Sequence, residues 1–140
     1  MDEKLLEIHE FTGPGYQPVI DFSEWRVAIL NYIDEINPER IEAMERHNET
    51  DEVFVIIKGR AILFLGEGEE NIVSIQEQVL ETGKLYNVKR KVWHSIVLSK
   101  DGSVLIVENR DTNRENSNYI SLNSEQRSLV VKRTWQERLD

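Results

Sequence analysis

The stretch Glu45-Arg46-His47-Asn48-Glu49-Thr50-Asp51-Glu52, running on through Val53-Phe54-Val55-Ile56-Ile57-Lys58 to Gly59, decides how the chain is read. Side chains alternate across an extended strand, so Glu45 and His47 share a face. Ile41 and Ala43 have the same parity and are apolar, which predicts that this face is the inner one. The polar run Asn48 to Asp51 reads as a turn. Glu52 to Lys58, rich in Val, Ile and Phe, reads as the next strand, with Glu52, Phe54 and Ile56 on one face. Three side chains able to ligate a metal thus gather on one strand–turn–strand unit. A further strand, Val92 to Leu98, adds His94 at the parity of Val92 and Ile96. Imidazole nitrogens and carboxylate oxygens together suit divalent Mn, Fe, Ni, Co or Zn. A set of two histidines and two carboxylates leaves coordination positions open, as catalysis requires.

Outward from this core the chain continues as short strands. Glu24 to Tyr32 carries Trp25, Val27 and Ile29 and is followed by a break at Asn37-Pro38. Ala61 to Leu65, a polar hairpin turn over Gly66 to Asn71, Ile72 to Ile75 and Glu77 to Leu80 come next. After Thr82-Gly83, Leu85 to Val88 is a strand. Lys100-Asp101-Gly102 is a second hairpin signal, and Val104 to Glu108 returns from it. Strands this short, with turns this frequent, predict an all-β sandwich, jelly roll or barrel. Near the start, Gly13-Pro14-Gly15 marks a turn, and Lys4 to Phe11 fits a strand or a short helix. Asp111 to Asn118 is polar and reads as a loop. Val131, Trp135 and Leu139 stand at i, i+4, i+8, which predicts a C-terminal helix packed on the barrel. A final strand over Leu129 to Lys132 is the alternative.

The length of 140 residues fits a single domain spanning residues 1–140. A net charge of −9 argues against nucleic acid and anionic membranes as partners. The apolar runs are too short to cross a bilayer as helices. The start, Met1-Asp2-Glu3-Lys4, lacks the apolar region of a secretory signal peptide. No cysteine is present, which rules out disulfides and thiolate metal sites and fits a cytoplasmic setting.

The same residues resemble the cupin family. Its first motif runs G, five residues, H-x-H, three or four residues, E, six residues, G. His47 stands at the second histidine, with four residues between it and Glu52, and six residues separate Glu52 from Gly59. Glu45 occupies the first histidine position, and Glu39 and Arg40 stand where the opening glycine is expected. The second motif runs G, five residues, P-x-G, two residues, H, three residues, N. Gly83 and His94 match it in spacing, whereas Lys89 and Lys91 replace the proline and glycine and Leu98 the asparagine. The resemblance covers the motif core, residues 41–108. It implies a cupin-type conical β-barrel, also called a double-stranded jelly roll, with a short C-terminal helix compatible with it. It further implies a divalent metal ion held by Glu45, His47, Glu52 and His94, a small-molecule ligand in a pocket at one end, and a homodimer. Isomerase and dioxygenase chemistry are both permitted, with Glu45 or Glu52 as a general base if it is not a ligand.

Blander readings stand beside these. His94, next to Trp93, also fits a hydrogen-bonded core histidine, and His47 a solvated one. Glu45 also fits a surface pair with Arg46, Lys89 or Lys91. Lys89-Arg90-Lys91 fits either a solvated loop or a lure for an anionic substrate. Trp25, Phe54, Phe64 and Trp93 read as core or dimer contacts. Glu108-Asn109-Arg110 and Tyr119 are pocket candidates that no spacing singles out, and His9 has no assigned role. The motif departures keep open a metal-free cupin that binds only a ligand or a protein partner, and an assembly protein working through a dimer.

Overall fold

Alternation along the strands sorts their side chains onto two faces, and this sorting builds the core. A computed structural model describes residues 1–135. Its strands are β1 (Gly15–Phe22), β2 (Trp25–Asn31), β3 (Ala43–His47), β4 (Glu52–Lys58) and β5 (Ala61–Glu67). They continue as β6 (Ser74–Val79), β7 (Tyr86–Val88), β8 (Trp93–Leu98), β9 (Ser103–Asn109) and β10 (Ser117–Ser121), and helix α1 (Ser124–Arg133) follows. They form two antiparallel sheets of five strands: a first sheet in the order β1-β2-β9-β4-β7 and a second in the order β10-β3-β8-β5-β6. Ala28, Leu30, Phe54, Ile56, Leu63, Leu98, Val104 and Ile106 point inward and form the core between the sheets. Full burial of a Leu or Phe side chain stabilises by roughly 1.5–3 kcal/mol, so these inward rows dominate the energetics.

The second sheet is apolar on its outer face as well. Met44, Ile62, Phe64, Trp93 and Val97 pack there against Ile41, Leu122 and Val130 of α1. Asn123 caps the helix. Its side chain accepts from the Gln126 backbone at 2.8 Å, and the Gln126 side chain accepts from the Asn123 backbone at 2.9 Å. No helix among the described residues is long and apolar enough to cross a membrane. On the outer face of the first sheet residues 9–14 lie beside Val27, Ile29 and Leu105, while Phe22 and Ile57 are 69% and 51% exposed.

Several expectations need correction. Lys4 to Phe11 forms neither strand nor helix beyond a turn near its start. The C-terminal helix is present, so the alternative strand over 129–132 is not. It buries Val130, however, while Val131 is exposed, and it ends at Arg133, before Trp135. Leu139 lies outside the described residues. Ile41 lies before β3 and joins the outer cluster, so it does not mark the inner face. Ile72 belongs to the turn, and the expected strands Ile72 to Ile75 and Glu77 to Leu80 are one strand, β6. The polar loop ends early, because residues 117–121 pair with β3 as an edge strand.

Candidate functional site

Inward positions near one end of the barrel are polar where the rest of the inner rows are apolar. Glu45 and His47 come from β3, Glu52 from the start of β4, and His94 from β8 directly opposite Glu45 in register. All four line one cavity of about 720 Å³. One ligand-capable atom from each of them lies within 4.8 Å of the others. Glu52 is the hub: its Oε1 lies 3.1 Å from His47 Nε2 and 2.9 Å from His94 Nε2. Glu45 Oε1 is 3.7 Å from His47 Nε2. The two rings meet edge-on, with centroids 5.3 Å apart.

The outer nitrogen of each ring is anchored. His94 Nδ1 donates to the Val92 carbonyl at 3.0 Å, and His47 Nδ1 is 2.8 Å from Ser117 Oγ. A carbonyl only accepts, so His94 carries its proton at Nδ1 and a neutral ring offers the Nε2 lone pair to the cavity. Anchoring one ring nitrogen to present the other is how proteins orient metal-ligating histidines. An imidazolium also fits here, because it donates from both nitrogens at once. The backbone N–H of Lys91 donates to the His47 carbonyl at 2.7 Å and ties the β7–β8 turn to β3.

Burial opposes charge on all three inner groups. It pushes the imidazoles down, but the hydrogen bonds and charge of Glu52 outweigh it, and both are raised. Burial likewise pushes the Glu52 carboxyl up, yet the two imidazoles hold it well below the usual carboxylate range.

A second group faces the same cavity: Glu108 of β9, Arg26 of β2 and Tyr16 of β1. Arg26 and Glu108 are register partners. The Tyr16 hydroxyl donates to Glu108 Oε2 at 2.5 Å, and Arg26 donates to the same oxygen from Nη2 at 2.9 Å and Nε at 3.2 Å. Burial, then the neighbouring Glu52 charge, raise the Glu108 carboxyl above its ordinary range. Of the pocket candidates without a spacing signal, Glu108 and Tyr119 line the cavity, and Asn109 and Arg110 do not. Tyr16, Arg26 and Ser117 carried no signal in the sequence. The Lys89 to Lys91 cluster also stays outside: Asp51 accepts from the Arg90 backbone at 2.8 Å and lies 3.4 Å from Lys89 Nζ. Arg114, stacked 4.7 Å over the Tyr119 ring, is the exposed cation that lines the cavity.

No protein-family model matches the chain, and no curated protein does. Solved structures do. Pac13, a Streptomyces nucleoside dehydratase, is 9% identical over 82% of this chain and 86% of its own, with a TM-score of 0.57. WlaRA, a TDP-fucose-3,4-ketoisomerase from Campylobacter jejuni, is 14% identical over 69% of this chain and 68% of its own, with a TM-score of 0.53. A cupin-2 domain protein from Shewanella frigidimarina is 16% identical over 77% of this chain and 88% of its own, with a TM-score of 0.49. At these identities the likeness to Pac13 and WlaRA concerns the fold alone, and with the two-sheet topology the fold is a cupin-type β-barrel.

Proposed function

We propose that this chain is a metal-dependent cupin, with Glu45, His47, Glu52 and His94 holding a divalent Mn, Fe, Ni, Co or Zn ion beside a cavity for a small polar molecule. The observation that carries the reading is the convergence of four donor atoms, with both imidazoles anchored at Nδ1 and turned inward by Nε2. A cation held there supplies Lewis acidity. The two similar enzymes act on a nucleoside and on TDP-fucose, which supports a small-molecule ligand and is compatible with isomerase-type chemistry. Fold alone does not choose the reaction.

A metal-free ligand-binding module is the second reading. It is favoured by Glu52, whose Oε1 both imidazoles can satisfy with protons alone. Elemental analysis of the purified protein separates the two. About one equivalent of divalent metal per chain, lost in His47→Ala/His94→Ala, is expected. A wild-type chain that stays metal-free after incubation with each of the five ions sinks the first reading and leaves the second.

The exposed Phe22 and Ile57 on the outer face of the first sheet support a homodimer, and the lack of cysteine supports a cytoplasmic setting. Light scattering is expected to give twice the chain mass for wild type. Ile57→Lys is expected to give the monomer, and a monomeric wild type refutes the dimer.

A further inference from the structure

Glu108 is buried to 3% side-chain exposure, yet only half of its carboxylate is used. Oε2 takes three donors, from Tyr16 and Arg26, while no hydrogen bond reaches Oε1 from the described residues. Ser95 Oγ is the one side-chain polar atom among the described residues that is both sealed and unpartnered. Glu108 Oε1 is therefore not sealed, and Glu108 lines the cavity. Arg26 spends four of its five N–H groups on protein acceptors. Besides Glu108 it holds the Arg110 carbonyl at 3.1 Å and the Thr112 carbonyl at 3.0 Å. What Glu108 presents to the cavity is thus a single acceptor, fixed in place by two side chains behind it. An acceptor that loses its water to a bound ligand is costly unless the ligand replaces it, so a ligand that brings a donor is selected over an analogue that lacks one.

Glu52 is positioned by the same sheet. β4 and β9 pair Val53 with Val107, so one step along the inner face Glu52 and Glu108 are neighbours. A molecule held at the four-residue cluster has Glu108 within the same chamber. We infer that Glu108 Oε1 is a specificity-determining acceptor for a ligand hydroxyl, so that the cavity prefers polyhydroxylated molecules to molecules that offer only carboxylates. The inference rests on the reading of this cavity as a small-molecule site and does not require the metal.

The substitution Glu108→Gln tests it sharply. Arg26 and Tyr16 only donate to this side chain, so the amide oxygen takes the Oε2 place and the NH₂ turns to the cavity. An acceptor becomes a donor with little change in shape. Xylitol and glutarate serve as probes in an NMR titration that follows the amides of residues 26–28 and 106–109. For wild type, millimolar xylitol is expected to shift these amides further than glutarate does. In Glu108→Gln the ratio of xylitol to glutarate affinity is expected to fall by about tenfold or more. Glu108→Asp keeps the charge facing Arg26 and withdraws the acceptor, so it is expected to weaken xylitol even if the glutamine variant folds poorly. The inference is overturned by a wild type that ignores xylitol, or by variants that keep the wild-type preference. Metal content measured on the same samples keeps the tests apart, since a metal-loaded protein indifferent to xylitol refutes this inference and spares the metal reading.

Discussion

Two buried carboxylates on adjacent strands, Glu52 and Glu108, face one cavity and are handled in opposite ways. Glu52 is met by His47 and His94, whose charge depends on protonation. Glu108 is met by Arg26, whose charge is permanent, and by the Tyr16 hydroxyl. The first cluster can exchange protons for a cation, because its imidazoles become ligands on losing them. The second cannot, since a guanidinium offers no lone pair. It is a fixed wall against which the first cluster works. The shifts follow the same division, with Glu52 lowered by its imidazoles and Glu108 raised by burial and by Glu52 itself.

The largest effect that follows from this contrast is on stability. Arg26→Met leaves Glu108 buried without its counter-charge and releases the carbonyls of Arg110 and Thr112. Breaking a buried ion pair from one side costs about 3 kcal/mol or more. Urea unfolding is expected to show a loss of that size. Adding Glu108→Leu to the same chain removes the stranded charge and is expected to restore most of the loss. If the single variant is as stable as wild type, the Glu108 group is no fixed wall and the contrast fails.

The same division explains what was legible in the sequence. His47 and Glu52 flank a single turn, and His94 keeps its distance from Gly83, so local spacing alone proposes the cluster. Even its departures are readable in hindsight. Lys91, standing where the family has glycine, has a φ of 68°, a left-handed conformation in which glycine is unstrained. Tyr16, Arg26 and Glu108 have no local signature. Tyr16 and Glu108 are 92 residues apart, and only the β1-β2-β9 order brings them together. Ser117 was hidden because β10 is a polar edge strand, which reads as loop. The helix departs from the expected stripe at Val131, which is exposed, whereas Val130 is buried against the second sheet and Leu129 and Trp135 pack beside it.

A smaller effect comes from the exchangeable cluster and shows in the pH dependence of chelator-treated protein. The Glu52 carboxyl is lowered from 4.5, so its stabilising contribution is whole above that value and is lost as pH falls toward the folded-state value. The His47 and His94 rings are raised from 6.5, so theirs is whole below that value and is lost as pH rises through the folded-state values. Thermal unfolding of the chelated protein is therefore expected to give its highest Tm between these two limits and a decline above neutral pH. The acidic surface adds self-repulsion in the same direction, so the comparison that matters is with Glu52→Gln, which removes the carboxylate that raises both rings. In that variant the decline above neutral pH is expected to flatten. In wild type it is expected to reverse on adding Zn, because deprotonated imidazoles bind the ion and the folded state gains what the protons gave up. Equal declines in wild type and Glu52→Gln, unmoved by Zn, would mean that the imidazoles are structural in the way Arg26 is, and that the two carboxylates differ in their neighbours but not in their use.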